Sequence, residues 1–432
     1  MQLVFRARSG LVRGTPAGTP SGSGVFRCEG LRDDAAEVRW RPGEVTLSLD
    51  RSGLERLFYV CRGEEFVVTN DLWDAARGAL QFGQPLSVDH CSVAYGRSPF
   101  AGVGWVEVGV HVTAVYDCGW RIRAYTIGLP ATQEPPAEDI VAALRGNLDA
   151  SLPSRGAVAV ILSGGLDSSI VAALCCEVRH RTDVVLLHLR FPHEWRAFEA
   201  PLAREVATYL GTRLEEIVLR SEDYASDEAL ATGALFYALG GWHNVIQQRA
   251  ASIGDTLGWG AGAEAFQGDG FVLSPVASPW RPASLASLAG MPWDRRLNAA
   301  KLLLKTSMFR RASYARFACR DTRFRCFSWP GSRYAFANTL AGPTVRTVSP
   351  FSDSHVFAAG FRLSGSLQLL DKNLLRDRFA KRLPLAVVQH GRVGTPAHPR
   401  GWIAQHSRRH QSKDELIRAS ISALTERLGE NR

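Results

Sequence analysis

The feature of the sequence that most constrains the fold is VAVILSGGLDSSIVAALCC, at residues 158–176. A short apolar run enters a Ser-Gly-Gly turn, and a longer apolar run leaves it, which predicts a buried strand, a loop and a helix. Strand–loop–helix units of this kind are typical of parallel α/β sheets. The loop also carries an acid, Asp167, in what otherwise has the composition of a phosphate-binding cradle.

Strand-like and helix-like segments continue to alternate around this loop. A helix is predicted at 138–152, a second strand at 183–191, a helix at 197–211 and a third strand at 213–219. This alternation predicts a parallel sheet with helices on both faces. Ligands bind such sheets beyond the carboxyl ends of the strands, and the loop is expected at one of those ends.

The first part of the chain has a different pattern. Short runs that alternate apolar and polar residues, such as EVTLSLD and GVHVTAVY, are separated by Gly, Asp and Asn and predict an all-β region. Two adjacent prolines at 135–136 mark a boundary. We therefore expect one domain over 1–130 and a second over 138–432.

Composition excludes several classes of function. No apolar run reaches the length of a membrane span, and the N-terminus lacks the apolar core of a signal peptide. Eight scattered cysteines without a CxxC pair indicate a reduced, cytoplasmic chain without a zinc site. The net charge of +9 suits a polyanionic ligand or an acidic partner, but no nucleic-acid module is recognisable.

The loop residues fit pyrophosphate binding. The chain has no Gly-Lys dipeptide, which excludes a Walker A loop, and GWGAGA at 258–263 matches a dinucleotide motif only loosely. Gly164 and Gly165 allow the backbone to approach a ligand, serine hydroxyls add donors, and the following helix offers free N–H groups. The alternative, Asp167 as an ordinary helix N-cap, accounts for the acid but not for the rest of the string.

The string SGGLDSS resembles the PP-loop of the N-type ATP pyrophosphatases, specifically the asparagine synthetase branch. The resemblance implies an adenine-nucleotide α-hydrolase-like domain that cleaves ATP between its α- and β-phosphates. A carboxylate attacks the α-phosphate, and an amine then displaces AMP to form an amide. ATP and Mg²⁺ are the implied cofactors.

Further segments resemble the same family with departures. Residues 198–219 match a conserved helix and strand, although Phe198 stands where an Asp is usual. Residues 258–266 resemble GEGADELF, with Glu264 at the acidic position and Ala265 in place of the second acid.

The C-terminal motifs are also similar. Residues 345–356 and 370–388 resemble the segments R.PFLD..LV and K..LR.A....LP..V. At 389–396 the family has R-x-K-x-G, but here His390 replaces the arginine and Arg392 the lysine. Arginine binds phosphate bidentately but does not donate a proton, which argues against a proton relay through this position.

The resemblance assigns roles to residues of both halves of the site. It implies that Asp167 and Glu264 hold Mg²⁺, that Lys372 and Arg392 offset charge on the phosphates or the carboxylate, and that the adenine faces the backbone at the end of the second strand. The residues implied to bind ATP or pyrophosphate are Leu162, Ser163, Gly164, Gly165, Leu166, Asp167, Ser168, Ser169, His188, Leu189, Arg190 and Gly260.

Residues 47–72 resemble the family's Ntn-type glutaminase domain in degenerate form. A working glutaminase of this family has a cysteine directly after the initiator methionine, whereas this chain has Gln2. We therefore expect a glutaminase-like β-sandwich without the catalytic cysteine, which hydrolyses no glutamine.

Loss of the glutaminase leaves three sources for the amine. The looser motifs and the Trp- and Arg-rich stretch within 275–345 favour a lasso-peptide cyclase, in which a precursor peptide's N-terminal amine attacks its own adenylated Asp or Glu. Such a cyclase would work with a leader-binding protein and a leader peptidase. The alternatives are a β-lactam synthetase-like enzyme, an ammonia-dependent asparagine synthetase-like enzyme, or a pseudoenzyme that only binds nucleotide. The Trp- and Arg-rich stretch is also consistent with helices whose basic faces are solvated. The C-terminal segment is consistent with an exposed amphipathic helix.

Overall fold

The structure is a computed structural model, and its described residues fall into two regions with separate cores. They comprise 2–6, 24–27, 37–41, 43–48, 57–63, 65–69, 72–81, 102–106, 110–126, 140–190, 199–220, 242–260, 263, 345–352, 356 and 372–389.

The N-terminal region contains two β-sheets. Its strands are β1 (Gln2–Arg6), β2 (Gly24–Arg27), β3 (Glu37–Arg41), β4 (Glu44–Ser48), β5 (Phe58–Arg62), β6 (Glu65–Thr69), β7 (Gly104–Trp105), β8 (Val110–Tyr116) and β9 (Trp120–Thr126). One sheet has the order β2-β3-β4-β8-β9 and is antiparallel throughout. The other has the order β1-β6-β5-β7, in which only β1 and β6 are parallel.

The inner faces of these two sheets form one core. Alternate residues of the strands point inward, so Leu47 and Val112 from the first sheet pack with Phe66 and Val68 from the second. The Phe66 ring lies 4.7 Å from the ring of Trp120, centroid to centroid, which joins the two sheets at one end. This is the sandwich that the alternating pattern predicts.

The all-β expectation for this region is wrong at one place. Residues Leu72–Gln81 form a helix, α1, which packs on β5 and β6. Ala75, Ala76 and Ala79 are fully buried in that contact, since small side chains let the helix approach the sheet closely. Alternation between polar and apolar residues, the pattern used to assign strands, does not detect a helix with so small an apolar face.

The second region contains a parallel sheet of five strands. They are β10 (Val158–Ile161), β11 (Val184–Arg190), β12 (Arg213–Val218), β13 (Thr256–Gly258) and β14 (Arg346–Val348). The helices are α2 (Ile140–Ser151), α3 (Leu166–Val178), α4 (Glu199–Leu210), α5 (Trp242–Ala251), α6 (Asn373–Phe379) and α7 (Leu385–Gln389). The predicted α/β fold class is confirmed.

Helices cover both faces of this sheet, which explains its continuous apolar strands. Val158, Val160 and Leu186 face a core formed with α2, α3, α4, α6 and α7. Their neighbours Ala159 and Val185 face the opposite core, formed with α5.

The strand order β12-β11-β10-β13-β14 places a topological switch point beside β10. The chain leaves β10 for β11 on one side and later returns to β13 on the other. A crevice forms outside the carboxyl ends of the two strands where the order reverses, and ligands of α/β sheets bind there. The loop at Ser163–Ser169 begins at this crevice.

The short helices α6 and α7 pack on the face of the sheet that α3 and α4 cover. The Arg382 guanidinium pairs with Glu177 on α3, and the Tyr209 hydroxyl of α4 donates to the Lys381 carbonyl at 3.1 Å. The side chain of Arg376 donates to the Val388 carbonyl, which links α6 to α7. Within the described residues, no helix has the length and apolar character needed to cross a membrane.

Candidate functional site

Gly164 determines the path of the loop between β10 and α3. Its φ of +79° lies in the left-handed region, and a Cβ atom there would lie 2.7 Å from the Glu199 carbonyl oxygen and 3.0 Å from the Leu202 Cβ. Glycine is therefore required both by the backbone conformation and by the space. The result is a loop pressed against the first turn of α4.

The serine hydroxyls hold the loop in shape. The Ser168 and Ser169 hydroxyls donate to the Gly165 carbonyl at 3.1 and 2.8 Å. The Ser163 hydroxyl accepts from the Gly165 N–H at 3.3 Å and lies 3.0 Å from the Ser168 Oγ. In this structure the three serines, which the sequence predicts as donors to a ligand, bond to the loop itself. Leu162 and Leu166, also predicted to bind the nucleotide, have side chains buried in the core.

The N-terminus of α3 carries no side-chain cap. Gly165 is the N-cap residue, and no side chain bonds there to the first N–H groups of the helix. These N–H groups and the helix dipole favour a negative charge in front of the helix. Asp167 lies within the first turn and is not the N-cap, which removes the alternative of an ordinary capping role.

The carboxylate of Asp167 has two different environments. Its Oδ2 accepts a hydrogen bond from the Lys372 ammonium group. Its Oδ1 is buried and has no hydrogen-bond partner among the described residues. A buried carboxylate oxygen without a partner is costly, and a ligand that binds it would remove that cost.

Lys372 reaches the loop from a distant part of the chain. It directly precedes α6, has a φ of 58° in the left-handed region and keeps only 8% of its side chain exposed. A lysine in this conformation costs roughly 1 kcal/mol or more. Backbone strain of this kind gathers where the structure holds a residue in place for function.

Gly260 closes the other side of the crevice. It follows β13, and a Cβ atom at this position would lie 3.1 Å from the Asp167 Cβ and 3.3 Å from the Ser168 nitrogen. The segment after β13 therefore rests on the first turn of α3. This contact brings the predicted 258–263 motif and the loop together at the switch point.

The predicted adenine-side residues occupy the end of β11. His188 is buried, and its Nδ1 lies 2.8 Å from the Leu162 carbonyl oxygen. Burial lowers the pKa of His188. Leu189 packs toward the α5 face of the sheet, while Arg190 is exposed and its Nη1 lies 3.4 Å from the Glu216 Oε2.

Two predicted site residues, Glu264 and Arg392, lie outside the described residues. The same holds for most of the Trp- and Arg-rich stretch and for the predicted C-terminal helix. The structure thus brings together the loop, Lys372, Gly260 and the end of β11.

Sequence reasoning missed two contributors to the loop. The side chain of His188, predicted to act through its backbone, bonds to the residue that starts the loop. A histidine in the otherwise apolar run VVLLHL is a detectable signal for such a role. The contact of Gly164 with the first turn of α4 has no local signal, because it depends on helix placement.

The described residues fit a nucleotide with a divalent cation. No three His, Cys, Asp or Glu side chains cluster within the described part of the chain. Magnesium in such sites takes one or two carboxylates from the protein and its other ligands from phosphates and water. The Oδ1 of Asp167, buried and without a partner among the described residues, lies beside an uncapped helix N-terminus and is a ligand of that kind.

Comparison with known proteins finds a family resemblance over part of the chain. A sequence model of the asparagine synthase family matches residues 139–236, and no curated protein sequence matches the chain. The matched segment contains β10, the loop, α3, β11 and β12.

A glutamine-dependent NAD⁺ synthetase from Acinetobacter baumannii, solved with adenosine diphosphate, is among the similar structures. The sequence identity is 13% and the TM-score 0.24, and the match covers 37% of this chain and 31% of that one, less than a third of the synthetase. The family match over 139–236, together with the geometry of the loop, shows that this segment is asparagine synthetase-like and supports an ATP-dependent ligase that forms carbon–nitrogen bonds.

Proposed function

We propose that the protein is an ATP-dependent macrolactam synthetase of the kind that closes lasso peptides. It would activate an Asp or Glu side chain of a precursor peptide and join it to the peptide's N-terminal amine. The observation that carries the proposal is the Asp167 carboxylate, in the segment that is asparagine synthetase-like: one oxygen is bonded to Lys372, and the other is buried without a partner among the described residues.

The charges of the loop are consistent with bound ATP and Mg²⁺. Two like charges about 4 Å apart repel by roughly 4 kcal/mol at an effective dielectric of 20, so Asp167 would oppose a bare phosphate. A divalent cation on the Asp167 Oδ1 reverses the sign of that interaction. Gly164, Gly165 and the N-terminus of α3 would hold the β- and γ-phosphates, with the adenine toward the end of β11.

The reaction would proceed in two steps. A peptide carboxylate oxygen attacks the α-phosphorus, the bond to the bridging oxygen breaks, and pyrophosphate leaves with that electron pair. The N-terminal amine then attacks the acyl carbon, the bond to AMP breaks, and the amine loses a proton. The chain contributes position and charge: Lys372, and by expectation Arg392, offset the charge that develops on the leaving groups.

The amine is proposed to come from the peptide rather than from glutamine. Cys61, which packs at the edge of the sandwich core, is half-buried, and burial raises the pKa of its thiol. A thiol with a raised pKa is a poor nucleophile and suits a packing role. A leader-binding protein and a leader peptidase are the partners that this proposal requires to deliver the peptide.

The test is incubation of the purified protein with ATP, Mg²⁺ and three classes of acceptor. Leaderless core peptides with an Asp or Glu should lose one water by mass, with AMP and pyrophosphate formed in equal amounts. Formation of AMP with aspartate and ammonia would instead indicate an asparagine synthetase. Loss of water from a small β-amino acid would instead indicate a β-lactam synthetase. Binding of Mg²⁺ and ATP without pyrophosphate release for any acceptor would indicate a pseudoenzyme.

A further inference from the structure

His188 is a buried polar residue in an otherwise apolar strand. Only 2% of its surface is exposed, and it lies on the face of β11 that packs against α3 and α4. Its imidazole Nδ1 is 2.8 Å from the Leu162 carbonyl oxygen. Leu162 directly precedes the loop, two residues before Gly164.

This hydrogen bond extends the strand pairing by one residue. The last residue of β10 that pairs with β11 is Ile161, opposite Leu187. The Leu162 N–H still donates to the Leu187 carbonyl at 2.8 Å, and the imidazole of His188 donates to the Leu162 carbonyl. β11 thus holds both backbone groups of Leu162, the second through a side chain, while the chain turns away from the sheet.

The partner identifies the tautomer. A carbonyl oxygen only accepts, so Nδ1 must carry the proton. Burial lowers the pKa of His188, and the nearby Arg204 and Arg190 lower it further, while the bond to Leu162 and the Glu216 carboxylate act in the opposite direction. The ring is therefore neutral at pH 7, with a fixed donor toward Leu162.

We propose that His188 is a positioning residue for the phosphate-binding loop, and that its Nδ1–H bond to the Leu162 carbonyl sets the affinity for ATP and Mg²⁺. This inference rests on the proposed nucleotide site and adds a determinant of its affinity. The Ser163 N–H donates to the Ser168 hydroxyl at 3.1 Å, and the serine hydroxyls otherwise bond within the loop. The His188 bond differs from these because it ties the residue before the loop to the neighbouring strand.

Substitution of His188 by Asn or by Gln distinguishes the position of the hydrogen-bond donor from the mere presence of a polar side chain. The Asn amide nitrogen is as many bonds from Cα as the His Nδ1, so His188→Asn keeps a donor at the same place. The Gln amide nitrogen is one bond farther, at the level of Nε2, so His188→Gln keeps a polar side chain but misplaces the donor. His188→Leu removes the donor and leaves a carbonyl without its partner.

The experiment measures binding of α,β-methylene ATP with Mg²⁺ by calorimetry on the full chain. We expect the leucine and glutamine variants to bind about tenfold more weakly and the asparagine variant to stay within about threefold of the unaltered protein. His180→Leu, at an exposed position before β11, is the matched control and should bind as the unaltered protein does. Thermal melting without nucleotide establishes that each variant is folded. If the leucine variant does not fold, the glutamine variant alone tests the loss of the correctly placed donor.

Two results would overturn the inference. One is equal affinity of the glutamine variant and the unaltered protein, and the other is a loss in the asparagine variant as large as in the glutamine variant. Failure of the unaltered protein to bind the analogue would instead contradict the proposed nucleotide site itself. The two failures are therefore distinguishable in one set of titrations.

Discussion

At the scale of single residues, the site depends on a carboxylate that has two tasks. Asp167 pairs with Lys372 through one oxygen and leaves the other without a partner among the described residues. Lys372 compensates the charge of the acid, and the unpartnered oxygen is the one that we propose as a ligand of a cation. Replacing aspartate by asparagine removes the charge of this side chain and nearly keeps its shape.

We expect Asp167→Asn to abolish pyrophosphate release while leaving the fold intact, because the amide keeps the shape but loses the charge that Mg²⁺ requires. Pyrophosphate release and thermal melting are the two measurements. Asp149→Asn, at an exposed position on α2, is the control and should retain full turnover. Normal turnover by Asp167→Asn would remove this residue from the metal site.

Gly164→Ala tests the contact between the loop and α4. The substitution adds strain at a φ of +79° and a clash with the Glu199 carbonyl, so we expect a loss of roughly 2 to 4 kcal/mol in the free energy of unfolding and a large loss of turnover. Gly156→Ala is the matched control, because its φ of +95° is strained but nothing lies within 4 Å of the added Cβ. Equal losses in the two variants, measured by urea unfolding, would show that the clash has no effect.

At the scale of secondary-structure elements, the site depends on how helices from distant parts of the chain meet one sheet. The pair Lys372–Asp167 joins the start of α6 to the first turn of α3, and Arg382–Glu177 joins the same two regions farther along. The helices α6 and α7 are short and draw their stability from this packing.

Lys372→Met should lower the free energy of unfolding by roughly 1 to 3 kcal/mol, because Asp167 is then left without its counter-charge. In the double variant Lys372→Met/Asp167→Asn, the loss in free energy of unfolding should be smaller than the sum of the two single effects. Urea unfolding of the four proteins measures this coupling, and the exposed Lys381→Met is the control. Additive effects would contradict the ion pair.

The bond between α4 and β12 predicts a pH dependence. Hydrogen bonds from Arg204, 2.5 and 2.9 Å long, lower the pKa of Glu216. A lowered pKa in the folded state stabilises the protein above the ordinary pKa of glutamate, and this contribution is lost as the pH falls through the folded value. The Arg204 side chain is 55% exposed and the Glu216 side chain 22%, so solvent screens the pair and its contribution is below about 1 kcal/mol.

The expected observation is a difference in melting temperature between the unaltered protein and Glu216→Gln that shrinks as the pH falls from about 5 to about 3. Glu205→Gln, at an exposed position of α4 next to Arg204, should show no such trend. A difference that stays constant over this range would contradict the assignment.

Local patterns in the sequence predict much of this arrangement. The apolar runs predict β10, β11 and β12, and the Gly-Gly turn predicts the loop at the end of a central strand. Resemblance to a family also points to Lys372 as a cation for the phosphates, but it does not indicate the bond from Lys372 to Asp167 that the structure adds. That pairing spans 205 residues and the contact of Gly164 depends on helix placement, so neither has a local signal.

At the scale of the whole molecule, the described residues form separate hydrophobic cores. One lies between the two sheets of the sandwich, and two others lie on opposite faces of the parallel sheet. The described residues of the proposed nucleotide site belong to the region of the parallel sheet. Ligand binding therefore stabilises one part of the molecule directly and the other only through contacts between them.

We expect calorimetry to show two unfolding transitions, of which ATP with Mg²⁺ raises one. At a ligand concentration of about 100 times Kd, the gain is roughly 2.7 kcal/mol, or a shift of about 5 to 10 °C for a domain of this size. Asp167→Asn should abolish that shift and leave both transitions in place without ligand. One transition that moves as a unit would contradict independent domains.

The pairing of Asp167 with Lys372 also bears on when the protein becomes competent during its synthesis. At about 5 to 20 residues per second, the ribosome needs roughly 10 to 40 s to add the 205 residues between them. Throughout that interval the loop can be made but its counter-charge does not yet exist. The nascent chain therefore carries an incomplete site, and the proposed reaction can begin only after the lysine has emerged and α6 has docked.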